Sequence, residues 1–223
     1  MNLPCLNHFT RAFTLSEILI ILGIMGVLSA ITLPSFFENQ TRNNCAYVIK
    51  SSILASNSLL EDAFAFGRTN LMNEAVERLT TIRNCSTVVT TDPQTNITTT
   101  TGLSATAGGC WNTTSQQALP TGVANAGVLL KNNAVILGFK PAVLSTDELI
   151  RFIIDANGVA GPNSVGVDQI NLVTCTTTAF CQSNATMQTL SAQGYKVVPG
   201  QLLPASVSDL ESVALYDRVF DSI

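Results

Sequence analysis

The feature that most constrains this chain is an apolar run near its N-terminus, FTLSEILIILGIMGVLSAITLPSFF, residues 13–37. As a helix it spans roughly 37 Å at about 1.5 Å per residue, which is enough to cross a hydrocarbon layer of about 30 Å. It is also too long for the apolar core of an ordinary signal peptide. Residues 13–37 are therefore predicted to form a helix that crosses a membrane once.

The run contains one charged side chain, Glu17, close to its start. A carboxylate inside a membrane is costly unless it is neutralised or paired, which makes Glu17 a candidate functional group; the alternative is a side chain at the interface that reaches water. Gly23, Gly26 and Ala30 are small residues, which favour close contact between helices. Pro34 is predicted to break or bend the helix because it lacks a backbone N–H.

Composition excludes several functional classes. The 223 residues suffice for one sizeable domain plus an anchor. With 11 basic residues and a net charge of −4, there is no basic stripe, so nothing indicates nucleic-acid binding. The one histidine, His8, precedes the apolar run, so the rest of the chain has no imidazole for a Ser-His or Cys-His site. The chain is predicted not to be an enzyme.

RAFTLSE, followed by about twenty apolar residues and ITLP, resembles the N-terminal signature of type IV pilins and type II secretion pseudopilins. The resemblance implies that residues 1–12 are a leader, which prepilin peptidase removes by cutting between Ala12 and Phe13. The new amine of Phe13 is then N-methylated. Glu17 becomes the fifth residue of the mature chain and Pro34 the twenty-second, as in the family. Ala12 departs from the pattern, since glycine is usual there.

The resemblance also implies a function, in which Glu17 pairs with the cationic N-terminus of an adjacent subunit. The chain is then a structural subunit, a major or minor pilin or a pseudopilin, stored in the inner membrane with its head outside the cytoplasm. An inner-membrane platform assembles it with other pilin subunits into an extracellular or periplasmic filament, without a cofactor. The rival interpretation is a singly anchored adhesin or ligand-binding protein that never polymerises. Such a protein has no reason to place Glu17 five residues after a peptidase cut.

The helical pattern continues beyond the apolar run as an amphipathic half, residues 38–66, and Gly67 is a suitable stop. Apolar residues recur there at helical spacing and define one face: Ala46, Ile49, Ile53, Leu60 and Ala63. This face is predicted to pack against a globular head formed by residues 67–223. The predicted fold is α+β and pilin-like.

Four strands are predicted within the head. Residues 126–139 have the pattern of a hairpin with its turn at Asn132 and Asn133, and apolar strands follow at 149–155 and 169–174. Short connections favour a four-stranded antiparallel sheet with one face on the long helix. Residues 84–122 are predicted to be a long polar loop with room for short strands. Ser208 and Glu211 have capping-box spacing at the start of a final helix.

Five of the six cysteines follow the leader, so at least one is unpaired or bonded to another chain. None of them has metal-site spacing, and a membrane segment before them favours an oxidising compartment. The favoured disulfide is Cys175–Cys181, which closes a short loop, and then Cys85–Cys110. Cys45 could replace a partner in either pair, because spacing alone leaves the connectivity open.

The segment DANGVAGPNSVGVD, residues 155–168, resembles a loop found in some prepilin-type proteins. One interpretation is a calcium site, with oxygen ligands from Asp155, Asn157 and Asp168 and a sharp turn at Gly158. The other is a polar turn between two strands. The polar turn needs fewer ligand groups than a calcium site does. Calcium takes six to eight oxygen ligands, and the segment has only two carboxylates.

Overall fold

The computed structural model describes residues 14–68, 70–84, 88–91, 98–101, 121–124, 126–139, 147–158 and 164–221. The chain divides into two compact units, Met1–Thr41 and Arg42–Ile223. The helices are α1 (Leu15–Ala65), α2 (Leu71–Arg78), α3 (Thr178–Ser183), α4 (Ala185–Ala192) and α5 (Leu210–Asp221). The strands are β1 (Thr81–Asn84), β2 (Val88–Thr91), β3 (Thr98–Thr101), β4 (Gly127–Leu130), β5 (Val135–Leu137), β6 (Leu149–Asp155), β7 (Gln169–Cys175) and β8 (Leu203–Pro204).

In the first unit, α1 is apolar and its side chains are uncovered. Among the described residues, α1 is the one helix long and apolar enough to cross a membrane. Helical structure continues through Pro34, so the helix does not break there, and the predicted bend stays a prediction. Two neighbouring hydroxyls bond to the backbone: Thr32 Oγ1 donates to the Leu28 carbonyl at 2.9 Å, and Ser35 Oγ to the Thr32 carbonyl at 3.0 Å. They add hydrogen bonds to the turns on either side of the proline.

In the second unit, α1 supplies one wall of the core. Ile49, Ile53, Leu60 and Ala63 are fully buried, which confirms the predicted apolar face. The helix ends at Ala65, and Gly67 two residues later has a φ of 64°, in the left-handed region that glycine tolerates best. The next amide, of residue 68, donates to the carbonyl of Ala63 at 2.8 Å, the six-to-one bond of a Schellman cap.

Ion pairs join α2 to the end of α1. The Arg78 guanidinium lies 2.7 Å from an Asp62 oxygen and 3.2 Å from a Glu74 oxygen, and Arg68 lies 2.6 Å from the other Glu74 oxygen. Asn70 caps α2, since its side-chain oxygen accepts the Asn73 amide. The Glu74 side chain is nearly buried, and removing its charge from water costs free energy. The ion pairs with the two arginines offset that cost.

The main sheet is antiparallel and has six strands rather than the predicted four, in the order β1-β4-β5-β6-β7-β8. The four predicted strands are its centre, β4 to β7, and the hairpin turn has Asn133 at a φ of 66°. The two added strands are the edges. β1 is a short polar strand with an irregular register, and β8 has two residues and ends in a proline, which edge strands tolerate.

Both faces of the sheet are covered by apolar packing. The larger core combines the buried face of α1 with one face of the sheet and with α5, and Phe139 packs edge-to-face on Phe152 at 5.2 Å. A smaller cluster on the opposite face contains Val135, Leu137 and Ile153. Central strands buried on both sides explain why 135–137 and 149–155 have apolar runs instead of strict alternation.

The polar loop and the final helix differ in detail from prediction. Within 84–122, β2 and β3 pair as a separate antiparallel hairpin, and residues 92–97 and 102–120 lie outside the described residues. The predicted cap of α5 is wrong. Asp209, not Ser208, caps this helix: its Oδ1 accepts the Ser212 amide at 3.1 Å, while the Ser208 amide donates to Ser206 Oγ.

Gly200 lets the chain after α4 approach the backbone of α1. It has a φ of 83°, and a Cβ there would lie 2.7 Å from the Glu61 nitrogen and 3.0 Å from the Leu60 carbonyl carbon. Gly194 has a similar φ of 95°, but nothing lies within 4 Å of a Cβ at that position. Alanine at Gly194 would therefore introduce backbone strain alone, whereas alanine at Gly200 would introduce both strain and steric overlap.

We expect Gly194→Ala to lower the free energy of unfolding by about 1–2 kcal/mol, because it adds left-handed strain alone. Gly200→Ala should lose a further 1–3 kcal/mol or so, because it also forces the chain away from α1. Urea unfolding of residues 42–223 measures both values. Equal losses in the two variants would contradict the close approach at Gly200.

Candidate functional site

The start of α1 is held by a reciprocal pair of hydrogen bonds. Thr14 Oγ1 accepts the Glu17 amide at 3.3 Å, and Glu17 Oε2 accepts the Thr14 amide at 2.9 Å. Thr14 Oγ1 also lies 2.9 Å from the same carboxylate oxygen as a donor and 3.0 Å from Ser16 Oγ. This is a capping box, in which the cap residue and the third helical residue satisfy each other's backbone donors.

The capping box uses one oxygen of the carboxylate. Among the described residues, no hydrogen-bond donor or basic group is within reach of Glu17 Oε1, and the side chain is exposed. A carboxylate at the N-terminus of a helix is also favoured by the helix dipole. Glu17 is therefore fixed in position by Thr14, and its second oxygen is open to a donor from outside the described residues.

Thr14 is a functional residue that the sequence patterns above do not single out, although a signal for it is present. T-x-x-E directly before an apolar run is the sequence form of a capping box, and residues 14–17 are TLSE. The predicted cleavage residues Ala12 and Phe13 lie outside the described residues, so of the predicted site residues in the N-terminal motif the structure places Glu17 and Pro34.

The helix that follows Glu17 leaves its large apolar side chains uncovered. From Leu15 to Phe37 they are between 46% and 79% exposed. Apolar surface of this extent is stable only in lipid or against another apolar surface. The described structure is thus compatible with one membrane-spanning helix near the N-terminus.

The loop from Asp155 to Asp168 brings the two carboxylates into one hydrogen-bond network. Asp155 is fully buried and accepts the Asn157 amide at 3.2 Å and Gln169 Nε2 at 2.8 Å. Asp168 is 3% exposed and accepts Asn157 Nδ2 at 2.7 Å and the Ser164 amide at 2.6 Å. Asn157 thus bridges both acids, one through its backbone and one through its side chain.

Burial raises the pKa of Asp168, and the bonds from Ser164 and Asn157 oppose that rise. Within the described residues there is no group of three His, Cys, Asp or Glu side chains that could hold a metal ion. Every carboxylate oxygen of Asp155 and Asp168 already accepts a protein donor. The calcium site at Asp155, Asn157 and Asp168 stays a prediction, and the observed bonds are those expected of a polar turn.

The structure joins Cys175 to Cys181 in a disulfide with a Cα–Cα distance of 5.4 Å, which is the favoured pair. It links the end of β7 to α3, a helix capped by Thr177 Oγ1. Cys45 is a half-buried free thiol, and burial, with Asp168 and Asp155 nearby, raises its pKa. The second predicted pair, Cys85 and Cys110, lies outside the described residues.

We expect millimolar calcium to leave the thermal midpoint of residues 42–223 unchanged, because the two acids are satisfied by protein donors. Differential scanning calorimetry with and without the ion, at matched ionic strength, measures this. A bound ion raises the midpoint as its concentration passes the dissociation constant. A rise that Asp155→Ala abolishes would establish the calcium site and contradict the polar turn.

Comparison of the chain with protein-family models, curated proteins and solved structures found no match. The function must therefore be inferred from the residues themselves. Their most informative arrangement is the capped start of α1, where one carboxylate begins an exposed apolar helix of membrane-spanning length.

Proposed function

We propose that this chain is a structural subunit of a filament, a major or minor pilin or a pseudopilin, processed by prepilin peptidase. The observation that carries the proposal is the position of Glu17. It is the one charge within residues 13–37, it lies at the first turn of α1, and the motif before it matches a prepilin cleavage signal. The filament is a type IV pilus or a type II secretion pseudopilus.

The exposed apolar half of α1 supports this proposal on energetic grounds. Before assembly, lipid covers these side chains, and the subunit is stored as a single-pass protein of the inner membrane with its head outside the cytoplasm. In the filament, the same side chains pack against the α1 helices of other subunits. Gly23 and Gly26, at whose Cβ positions nothing lies within 4 Å, allow close approach of helices.

Glu17 has a defined partner in this scheme. Cleavage between Ala12 and Phe13 creates a cationic amine, and the free Oε1 of Glu17 accepts the amine of an adjacent subunit. Two charges that are costly in an apolar environment become tolerable when they meet with good hydrogen-bond geometry. Thr14 assists as a positioning residue, because it fixes the other oxygen of the carboxylate.

The partners follow from these steps. Prepilin peptidase cuts the leader, the inner-membrane assembly platform extracts the subunit, and other pilin subunits receive it in an extracellular or periplasmic filament. The chain itself supplies surfaces and needs no catalytic group or cofactor.

The alternative is a singly anchored adhesin or ligand-binding protein that does not polymerise. It shares the membrane helix and the head but gives Glu17 no partner. A non-polymerising protein therefore tolerates loss of this carboxylate, whereas a filament subunit does not.

The first prediction of the pilin proposal concerns processing. Mass spectrometry of protein extracted from membranes is expected to show a chain that begins at Phe13 and carries one methyl group on its amine. Deletion of the prepilin peptidase should leave residues 1–12 attached. A chain that begins at Met1 in the presence of the peptidase, or one cut after residue 30, would contradict the pilin proposal.

The second prediction concerns assembly. Glu17→Leu should leave the protein in the membrane and still cleaved, but its amount in sheared filaments should fall at least tenfold, because the amine of the neighbour is left unpaired. Glu38→Leu is the matched control, since it removes an exposed carboxylate from α1 outside the apolar run. Wild-type incorporation of Glu17→Leu would show that Glu17 has no pairing role.

A further inference from the structure

A cavity of about 520 Å³ opens between α1, α5 and the chain that follows α4. All of its walls belong to the unit Arg42–Ile223. Its size is within the range of small-molecule sites, which are usually about 300–1,000 Å³. The cavity combines aromatic rings with amide and carboxylate groups, and none of the residues assigned to cleavage or assembly lines it.

Three aromatic rings lie along one wall, and because the central ring, Tyr216, is only 6% exposed, Tyr195 and Phe220 present the accessible ring surface. Tyr195 packs edge-to-face on Tyr216 at 5.8 Å, and Tyr216 packs on Phe220 at 4.7 Å. The Tyr216 hydroxyl donates to the Leu202 carbonyl at 3.0 Å, which fixes the central ring. Burial raises the pKa of Tyr216 to about 12, so this phenol stays protonated and neutral at physiological pH.

Two polar groups in the cavity are each fixed by one atom and open at the other. Asn57 Oδ1 accepts the Leu202 amide at 2.8 Å, and no acceptor for Asn57 Nδ2 is within reach among the described residues. Asp217 Oδ1 accepts the Tyr195 hydroxyl at 2.8 Å, and the described residues offer no donor to Asp217 Oδ2. The cavity therefore presents a positioned donor and a positioned acceptor, which bind without first losing conformational freedom.

The charges around the cavity favour a neutral ligand. Lys196 lines it together with two carboxylates, Asp217 and Asp221. A strongly charged ligand of either sign would meet a like charge. A neutral ligand with several hydroxyl groups meets none, and each hydroxyl can both donate and accept a hydrogen bond.

We propose that this cavity binds a neutral saccharide unit of a glycan. The C–H face of a sugar ring packs on the accessible parts of Tyr195 and Phe220, and its hydroxyls bond to Asn57 Nδ2 and Asp217 Oδ2. Gln193 and Gln201 line the same cavity and extend the row of planar polar groups. Binding takes place within one subunit, so it is independent of cleavage and filament assembly.

Saturation-transfer difference NMR on the full chain tests this proposal, in a detergent without a sugar headgroup. The probes are maltotriose, made of hexoses, and chitotriose, made of N-acetylated amino sugars. Transfer from the protein to the ring C–H protons of at least one probe is expected, and the responding probe identifies the class of glycan. Absence of transfer to both overturns the proposal.

Tyr195→Phe tests the geometry. It keeps the ring but removes the hydroxyl that holds Asp217, so this side chain must be ordered when the saccharide binds and the affinity should fall roughly three- to tenfold. Tyr47→Phe is the matched control, since Tyr47 is 74% exposed and outside this cavity, and its affinity should equal that of the wild type. Equal affinities for Tyr195→Phe and wild type overturn the assigned geometry.

A second variant covers the case in which Tyr195→Phe does not fold. Gln193 is exposed, and its side chain makes no hydrogen bond with the described residues, so Gln193→Ala should keep the wild-type melting temperature. We expect a several-fold weaker affinity in this variant. If Tyr195→Phe folds, wild-type binding by both variants excludes the cavity as the saccharide site. If Tyr195→Phe does not fold, unchanged binding by Gln193→Ala excludes it.

Discussion

The uncovered apolar surface of α1 is the constraint on which the rest of this structure depends. A helix whose large side chains are about half to four-fifths exposed has no stable place in water, because exposure of that apolar area opposes solubility. Lipid or other helices must cover it. The one carboxylate at its start adds a second demand, since the same environment that accepts the apolar side chains disfavours an unpaired charge.

In the second unit, Arg42–Ile223, the apolar side chains of α1 are covered by other parts of the same unit. There α1 has one apolar face, and the six-stranded sheet covers it with Phe139, Phe152 and their neighbours. Gly200 allows the chain after α4 to close against the helix backbone, and the ion pairs at Arg78 join α2 to the end of α1. The apolar side chains of α1 are thus covered by the sheet and α5 in the second unit, whereas nothing among the described residues covers those of the first unit.

Sequence patterns predict the parts of this unit that are long and apolar. The hairpin at 126–139 and the strands at 149–155 and 169–174 have clear apolar runs and clear turns, and the structure confirms them. The edge strands escape prediction because β1 is polar and β8 is two residues long. Such strands form because they pair with a neighbouring strand, and the local sequence pattern gives no information about that pairing.

A local polar pattern predicts that a helix has a side-chain cap, but it does not always predict which residue forms the cap. Ser208 and Glu211 have the spacing of a capping box, yet Asp209 caps α5, because three acceptable cap residues lie close together and packing selects among them. At the start of α1 the pattern TLSE has one solution, and the structure adopts it. Pro34 shows the opposite effect, in which a strong local signal for a break is overridden and the helix continues.

The carboxylates of Asp155 and Asp168 differ from that of Glu17 in the number of their oxygens that accept hydrogen bonds. Asp155 and Asp168 are buried, and each accepts two hydrogen bonds from neutral donors within or beside one loop, so their bonding is completed by folding. Among the described residues, Glu17 accepts hydrogen bonds at Oε2 alone, and its Oε1 is open in the segment where an open carboxylate oxygen is most costly. A completed network is what a structural turn needs, so the acidic loop offers little to an outside ligand. The open oxygen at the first turn of α1 is the group that the proposed pairing with an adjacent subunit would use.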